Sequence, residues 1–173
     1  MATAVQIPLL EYLETSYRPD VEYIDGELKE KKMGQYEHSR IQALLAAWFF
    51  NHESLWKAIA LTEQRLIVSA TRVRLPDLCL VPQGPSPDTL TLPPILAIEI
   101  LSPDDTYSEL QDRCRDYQTF GVQAIWIIDP KTRTARIGIG DAWIQTRRLD
   151  VPQTPIFLDV DQLFADVDRA RQP

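Results

Sequence analysis

The sequence has little of what marks a secreted or membrane-bound chain. Its 173 residues include two cysteines, Cys79 and Cys114, and both lie in apolar segments. This placement predicts buried free thiols in a reducing compartment rather than a disulfide framework. The N-terminus has no basic segment before a long apolar run, so we expect no signal peptide. No run of about 18 apolar residues is present, so we expect no membrane-spanning helix. These absences predict a cytoplasmic protein.

The chain is also short of positive charge. It carries 18 Lys and Arg residues against 25 Asp and Glu residues, which gives a net charge of −7. Because contacts with phosphates supply most non-specific affinity for nucleic acids, this balance argues against a broad polyanion-binding surface, although a local basic patch stays possible. The sequence contains no glycine-rich phosphate loop and no nucleophilic serine motif, so neither enzyme class is indicated.

The composition is that of an ordinary globular protein, with 45% apolar residues. The length predicts one domain over residues 1–173, with a core large enough to stand without disulfides or a structural metal. The predicted order of elements is helix, hairpin, helix, several strands, helix, strand, hairpin and helix. That order indicates a mixed α/β or α+β fold with a central sheet.

Local signals place the first elements. "PLLEYLETS" predicts a short helix, and Asp25-Gly26 within "VEYIDGELKEKKM" predicts an N-terminal hairpin. "EHSRIQALLAAWFFNH" is the clearest helix, because its apolar residues form one stripe at helical spacing: Ile41, Leu44, Leu45, Trp48 and Phe49. "ALTEQRLIVS" and "RVRLPDLCLVP" predict two strands around a turn near Ala70-Thr71.

The second half of the chain gives equally local signals. "ILAIEILS" and "AIWIIDP" predict buried neighbouring strands joined by a helical crossover. For that helix the sequence predicts a cap at Ser102, Pro103 in the first turn and an end at Gly121. "TARIGIG" and "AWIQTRRL" predict a terminal hairpin, and "DVDQLFADVDRAR" predicts a closing helix.

Two apolar strands each carry one acidic residue, Asp77 in "RLPDLCLV" and Glu99 in "ILAIEILS". A buried carboxylate is costly unless it is paired or binds a metal, and two close carboxylates repel each other. A divalent cation would offset that repulsion. If the strands are adjacent and in register, the alternation of side chains brings both acids to one face. The alternatives are a hydrogen bond from Asp77 to a loop and a salt bridge from Glu99 to Arg72 or Arg74.

A third acid, Glu37, lies four residues before Ile41 and therefore on the core-facing stripe at the start of the clear helix. It either points at the sheet near the other two acids or only complements the helix dipole. Beside it, His38 could lie near the same site, although a lone histidine is more often structural. Trp126 and Trp143 are interpreted as core or edge residues rather than platforms for base stacking.

These residues resemble the restriction-endonuclease-like superfamily with its PD-(D/E)XK motif, "LPD" at 75–77 matching the first half and "EIL" at 99–101 the second. More closely, the chain resembles the Uma-two family of predicted endonucleases over nearly its whole length after about residue 10. The matching stretches are "YIDGEL" (23–28), "EHSRI" (37–41), "VSATRVRLPDLCLV" (68–81), "LAIEILSP" (96–103) and "YQTFGVQAIWIIDP" (117–130).

The resemblance implies a central mixed sheet flanked by helices and Mg²⁺- or Mn²⁺-assisted hydrolysis of phosphodiester bonds in DNA. It implies that Asp77 and Glu99 hold the metal, with the carbonyl of Ile100 as a further ligand. Glu37 matches the acid that the first core helix contributes. A homodimer would pair two such sites, which is an analogy with other nucleases of this fold.

One position departs from the motif, because Leu101 stands where a lysine is expected. In the family a lysine on the following helix takes that role, four residues before the tyrosine that matches Tyr117, and here that position is Arg113. Arginine keeps its proton, so it cannot activate water, although it can hold a phosphate. The alternative for Arg113 is a surface salt bridge with Glu109 or Asp116.

Two functions therefore stay open. The first is a metal-dependent DNA endonuclease in which Asp77, Glu99, Arg113 and Glu37 form the site. The second is a weakened or inactive descendant that binds nucleic acid or a protein partner. The basic group Lys29, Lys31 and Lys32 on the early hairpin could meet a phosphate backbone, but a solvated hairpin is the favoured interpretation of these lysines.

Overall fold

A computed structural model of the chain describes residues 6–32, 35–139 and 142–169. The helices in these ranges are α1 (Leu9–Glu14), α2 (Tyr36–Trp56), α3 (Tyr107–Phe120) and α4 (Val160–Arg169). The first strands are β1 (Val21–Ile24), β2 (Glu27–Glu30), β3 (Ala58–Thr62), β4 (Leu66–Ser69), β5 (Arg72–Arg74) and β6 (Leu78–Pro82). The later strands are β7 (Leu96–Ile100), β8 (Ala124–Asp129), β9 (Thr134–Ile139), β10 (Ala142–Thr146), β11 (Arg148–Asp150) and β12 (Phe157–Asp159).

The main sheet has six strands in the order β10-β9-β8-β7-β6-β3. Strands β7 and β8 are parallel, with α3 as the crossover between them, and the other neighbours pair antiparallel. The sheet is therefore mixed, as the sequence predicted. Its apolar central strands are buried on both faces, which is typical of a sheet with helices on each side.

The two faces of this sheet carry different helices. The apolar stripe of α2, with Ile41, Leu45 and Phe49 fully buried, packs with α4 against one face. On the other face, Leu110, Cys114 and Tyr117 of α3 pack against a second apolar cluster. Both cysteines are buried and free, as the sequence predicted.

A smaller sheet in the order β2-β1-β5-β4 carries the N-terminal hairpin. Ile24 pairs with Glu27, so Asp25 and Gly26 form a two-residue turn in which both residues have positive φ. The predicted hairpin is confirmed. Tyr12 of the short helix α1 is fully buried against this sheet.

Two of the predicted strands are in fact four. "ALTEQRLIVS" divides into β3 and β4, and "RVRLPDLCLVP" divides into β5 and β6, with the members of each pair in different sheets. The second division falls at residues 75–77, where Pro76 has no N–H to continue a ladder. The predicted turn near Ala70-Thr71 is confirmed between β4 and β5.

The start of α3 also differs from the prediction. Its N-cap is Thr106, not Ser102, and Thr106 and Glu109 form a capping box. Ser102 instead donates to Asp105 from both its backbone N–H and its hydroxyl. Gly121 ends the helix with φ +99°, as predicted.

The C-terminal elements follow the sequence pattern. Strands β9 and β10 form the terminal hairpin, whose turn at residues 140–141 lies outside the described residues. The closing helix is α4, and the last residues of the predicted segment, 170 and 171, also lie outside the described part. None of the described helices combines the length and the hydropathy needed to span a bilayer.

Candidate active site

The register between β6 and β7 decides where the two strand acids lie. Leu78 pairs with Ile98 and Cys79 with Ala97. Asp77 comes one residue before β6, so one further step of this antiparallel register would set it opposite Glu99, and both acids line the same cavity. Both side chains are buried, with 3% of each exposed. The structure thus brings the two acids together, which is the condition for a shared site.

Asp77 is held from three directions. Its Oδ1 accepts a 2.6 Å hydrogen bond from the ammonium of Lys31, and its Oδ2 accepts one of 2.6 Å from the backbone N–H of Ile100. Nε2 of His38, at the start of α2, lies 3.4 Å from Oδ2. The predicted hydrogen bond to a loop is present, because Lys31 lies in the segment after β2, but Asp77 also accepts from the backbone of the neighbouring strand β7.

These contacts set the protonation of the group. Burial alone would raise the pKa of Asp77, but Lys31 and His38 outweigh it and lower that pKa to about 2. Burial would in turn lower the pKa of Lys31, yet Asp77, Glu99 and Glu63 raise it well above its usual range. Burial also opposes protonation of His38, while its contact with Asp77 raises its pKa overall. Asp77 and Lys31 are thus both ionised at neutral pH.

Glu99 has its own pair of partners. The hydroxyl of Tyr117 donates to its Oε1 at 2.5 Å, and Nε of Arg113 lies 3.2 Å from its Oε2. Complete burial raises the pKa of Glu99 to about 7; Arg113 acts against this shift, and the nearby charge of Asp77 adds to it. Glu99 therefore changes charge near neutral pH.

Arg113 connects the acids to the start of its helix. Besides Glu99, it contacts Asp105, whose Oδ1 accepts from Nη2 at 3.0 Å. The alternative of a surface salt bridge with Glu109 or Asp116 is wrong, because the side chain is only 15% exposed and turns inward. The alternative of a salt bridge from Glu99 to Arg72 or Arg74 is wrong too, since these arginines bind other acids.

Asp77, Glu99 and Ile100 line a cavity of about 70 Å³. At roughly 10–15 Å³ for each water, this volume holds several waters or a hydrated ion. The cavity is almost entirely ionic, and its charged lining has more acids than bases: Glu22, Glu30, Asp77, Glu99, Asp105, Glu109 and Asp112 against Lys29, Lys31, Lys32, Arg74 and Arg113. Such a lining favours a cation over an anion.

Glu37 does not lie in this cavity. It is half-buried and lines a neighbouring surface depression that also includes His38, Ser102 and Lys131. The next residue along α2, His38, is the one that reaches Asp77. The helix α2 therefore contributes the imidazole of His38 to the acid pair, and Glu37 lies in the depression next to the cavity.

The sequence profile of the Uma2 family, described as "Putative restriction endonuclease", matches residues 9–164. The chain belongs to the Uma2 family. A search of curated proteins finds no match.

Solved structures support the Uma2 fold. A "putative nuclease belonging to DUF820" from Anabaena variabilis superposes with a TM-score of 0.80 at 24% identity, covering 92% of this chain and 98% of its own. This likeness confirms the predicted nuclease-like fold with a mixed sheet between helices. One chain of a DrdV–DNA complex reaches a TM-score of 0.39 at 16% identity, over 75% of this chain and 10% of its own. This similarity is too low to support any conclusion about the present chain.

The metal implied by the Uma2 family can be tested against the donor set. In the described ranges, no three His, Cys, Asp or Glu side chains come together as a metal site. Mg²⁺, however, commonly uses one or two carboxylates and keeps several waters. Asp77 and Glu99 supply two carboxylates beside a cavity that holds several waters, and this arrangement fits Mg²⁺ coordination. All four of their oxygens already have partners in this chain, so an ion would take over contacts now made by Lys31 or Arg113.

Lys31 is the residue of this candidate site that the sequence does not predict. The hairpin lysines were interpreted as solvated, but the Lys31 side chain is 20% exposed, and Lys32 contacts Glu109 and the carbonyl of Asp104. The wrong interpretation follows from distance along the chain, because Lys31 and Asp77 are 46 positions apart. The only available signal was the cluster of three lysines beside a strand end.

Proposed function

We propose that this protein is a metal-dependent DNA endonuclease that hydrolyses phosphodiester bonds. The observation that carries the proposal is that Asp77, directly before β6, and Glu99 of β7 line the same ionic cavity. Membership of the Uma2 family supports the same chemistry. In this proposal Asp77, Glu99 and the carbonyl of Ile100 bind Mg²⁺ or Mn²⁺.

The residues of the chain divide the remaining work. A bound Mg²⁺ would lower the pKa of a water and stabilise charge on the phosphate. Arg113 keeps its proton, and its pKa lies above the usual range because of Glu99 and Asp105 despite burial. It therefore orients a phosphate and does not act as a base. Lys31 is also held protonated, and contact with Asp77 raises the pKa of His38 as well, so we assign the proton acceptor to neither of these two groups.

Glu37 keeps a place in the proposal as an acid at the rim of the site, where it matches the acid of the first core helix. We include a cytoplasmic location and a homodimer in the proposal. A dimer would give a nuclease two sites for the two strands of a duplex, an argument by analogy with the fold.

Plasmid cleavage tests the proposal. The protein is incubated with supercoiled DNA and Mg²⁺ or Mn²⁺, and the appearance of nicked and linear forms is followed. We expect Asp77→Asn and Glu99→Gln to reduce cleavage at least 100-fold, while Asp161→Asn, a remote and exposed acid of α4, leaves it unchanged. Equal cleavage by all three variants would reject the proposal, and circular dichroism checks that each variant is folded.

The second candidate is a nuclease-fold protein that has lost catalysis and binds nucleic acid or a protein. One observation favours it: each acid already has a cation of this chain, Lys31 at Asp77 and Arg113 at Glu99. Arg113→Lys distinguishes the two candidates, because it restores the lysine that the family has at this position. A single ammonium also replaces the guanidinium that now contacts both Glu99 and Asp105. Cleavage that appears only in Arg113→Lys would identify a lapsed nuclease.

A further inference from the structure

A second cavity lies beside the acid site on the same face of the sheet. Its volume is about 450 Å³, within the range of roughly 300–1,000 Å³ that is usual for small-molecule sites. Leu110 and Cys114 of α3 and Ile127 of β8 form its apolar floor. Asp105 lines both this cavity and the one around Asp77, so the two spaces adjoin at a single side chain.

Trp143 of the edge strand β10 forms one wall of this cavity. It pairs with Gly138 of β9, and its ring lies directly over that glycine: a Cβ placed on Gly138 would be 2.6 Å from two ring carbons. A side chain at residue 138 would therefore force the ring to move, and glycine leaves room for it. Trp143 is an edge residue, as its sequence context indicated, yet its position gives the cavity an aromatic wall.

Arg136 brings a positive charge to the lining of this cavity. It sits opposite Ile127 in the β8–β9 register and reaches the same face of the sheet. Its side chain is half-buried, lines the cavity, and makes no hydrogen bond or ion pair to any described residue, whereas Asp105 already binds Arg113 and Ser102. At the mouth, the exposed Tyr107 accepts a hydrogen bond from the amide of Gln111.

We propose that this cavity binds an unpaired nucleobase of a DNA strand, stacked on Trp143, with the adjacent phosphate on Arg136. An aromatic wall, an apolar floor and an unpaired guanidinium are together what a base and its phosphate require. The base must leave a duplex stack to enter, so the subsite selects single-stranded or unpaired DNA. The inference deepens the proposed function, because it names the substrate of the adjoining acid site.

Fluorescence anisotropy of a labelled 12-nucleotide single strand, titrated in EDTA, tests this inference. We expect Trp143→Leu and Arg136→Gln each to weaken binding about tenfold, and Trp143→Phe to bind within about threefold of the wild type. Arg147→Gln removes an equal charge from an exposed position outside the cavity and serves as the control. Arg136→Gln should also lower the slope of log affinity against log salt by about 0.7, the value for one phosphate contact on a single strand.

The outcomes separate the two proposals. EDTA removes divalent ions, so the titration measures binding without cleavage. A protein that does not cleave DNA can therefore still show this subsite, and a protein that cleaves DNA can still lack it. Equal binding by the wild type, Trp143→Leu and Arg136→Gln would overturn the inference. So would a blunt duplex of the same sequence that binds as tightly as the single strand. Arg136→Gln changes a half-buried surface group, so its result does not depend on how well Trp143→Leu folds.

Discussion

The ammonium of Lys31 lies 2.6 Å from Oδ1 of Asp77; Lys31 directly follows β2 of the smaller sheet, and Asp77 directly precedes β6 of the main sheet. The N-terminal hairpin thus closes over the main sheet through a buried ion pair at the proposed metal site. A divalent ion bound by Asp77 must compete with this ammonium for the same oxygen.

Replacing Lys31 should have opposite effects on folding and on metal binding. Lys31→Met leaves the buried Asp77 carboxylate without its cation, so we expect the free energy of unfolding to fall by about 3 kcal/mol. The same variant removes the competitor, so its affinity for Mn²⁺ should rise several-fold. Urea unfolding with and without Mn²⁺ measures both, since an ion that binds only the folded state stabilises it.

Lys57→Met is the control, because Lys57 is exposed at the end of α2 and does not line the cavity around Asp77. It should change neither quantity appreciably. A Lys31→Met protein with weaker Mn²⁺ binding than the wild type would show that the ammonium supports the ion rather than competing with it.

The raised pKa of Glu99 predicts a pH dependence. Burial moves this pKa from 4.5 to about 7, and only the ionised carboxylate binds a cation. Affinity for Mn²⁺ should therefore level off above pH 7 and fall about tenfold per unit below it. Without metal, the folded state binds the Glu99 proton more tightly than the unfolded chain, so this group lowers the unfolding free energy as pH rises from 4.5 to 7. Calorimetric titrations between pH 5.5 and 8.5 check the first part; an affinity constant over that range would contradict it.

The cap of α3 gives a stability prediction. Thr106→Ala removes the side chain that accepts from the backbone N–H of Glu109, which should lower the unfolding free energy by about 1 kcal/mol. Ser108→Ala, an exposed position in the first turn of the same helix, serves as the control. Urea unfolding compares them, and equal midpoints for the two variants would argue against Thr106 as the cap.

The two arginines of β5 should differ in their effect on stability. The side chain of Arg74 is 4% exposed and pairs with Glu22, Asp112 and Asp116. Arg74→Met leaves the buried Glu22 carboxylate unpaired and should cost roughly 3–5 kcal/mol. Arg72→Met should cost about 1 kcal/mol, because Arg72 is more exposed, its partner Asp25 is largely solvated, and its other partners Asp112 and Asp116 keep Arg74 as a cation. Thermal or urea unfolding of the two variants would contradict this account if Arg72→Met proved the more damaging.

Local patterns predicted the elements of the fold well. The stripe of α2, the Asp25-Gly26 turn and the Gly121 stop each depend on neighbours in sequence, and each is present. Strand boundaries failed at residues 63–65 and 75–77. In both places the chain passes from one sheet into the other within three residues, and the apolar residues on either side do not distinguish the two sheets.

The candidate site was predictable where it depended on strand alternation. Asp77 and Glu99 each stood out as one acid in an apolar strand, and the structure places them beside the same cavity. The partners of these acids were not predictable, since Lys31 and His38 approach Asp77 from separate elements. Arg113 was found only through the family resemblance, and its inward orientation required the structure.

Direct titration of Mn²⁺ into the protein by calorimetry at pH 8 tests the central claim, that Asp77 and Glu99 together bind a divalent ion. The account predicts one site per chain in the wild type and at least a tenfold loss of affinity in both Asp77→Asn and Glu99→Gln, with Asp161→Asn unchanged. A wild-type protein that binds no Mn²⁺, or variants that bind it as tightly as the wild type, would contradict the claim.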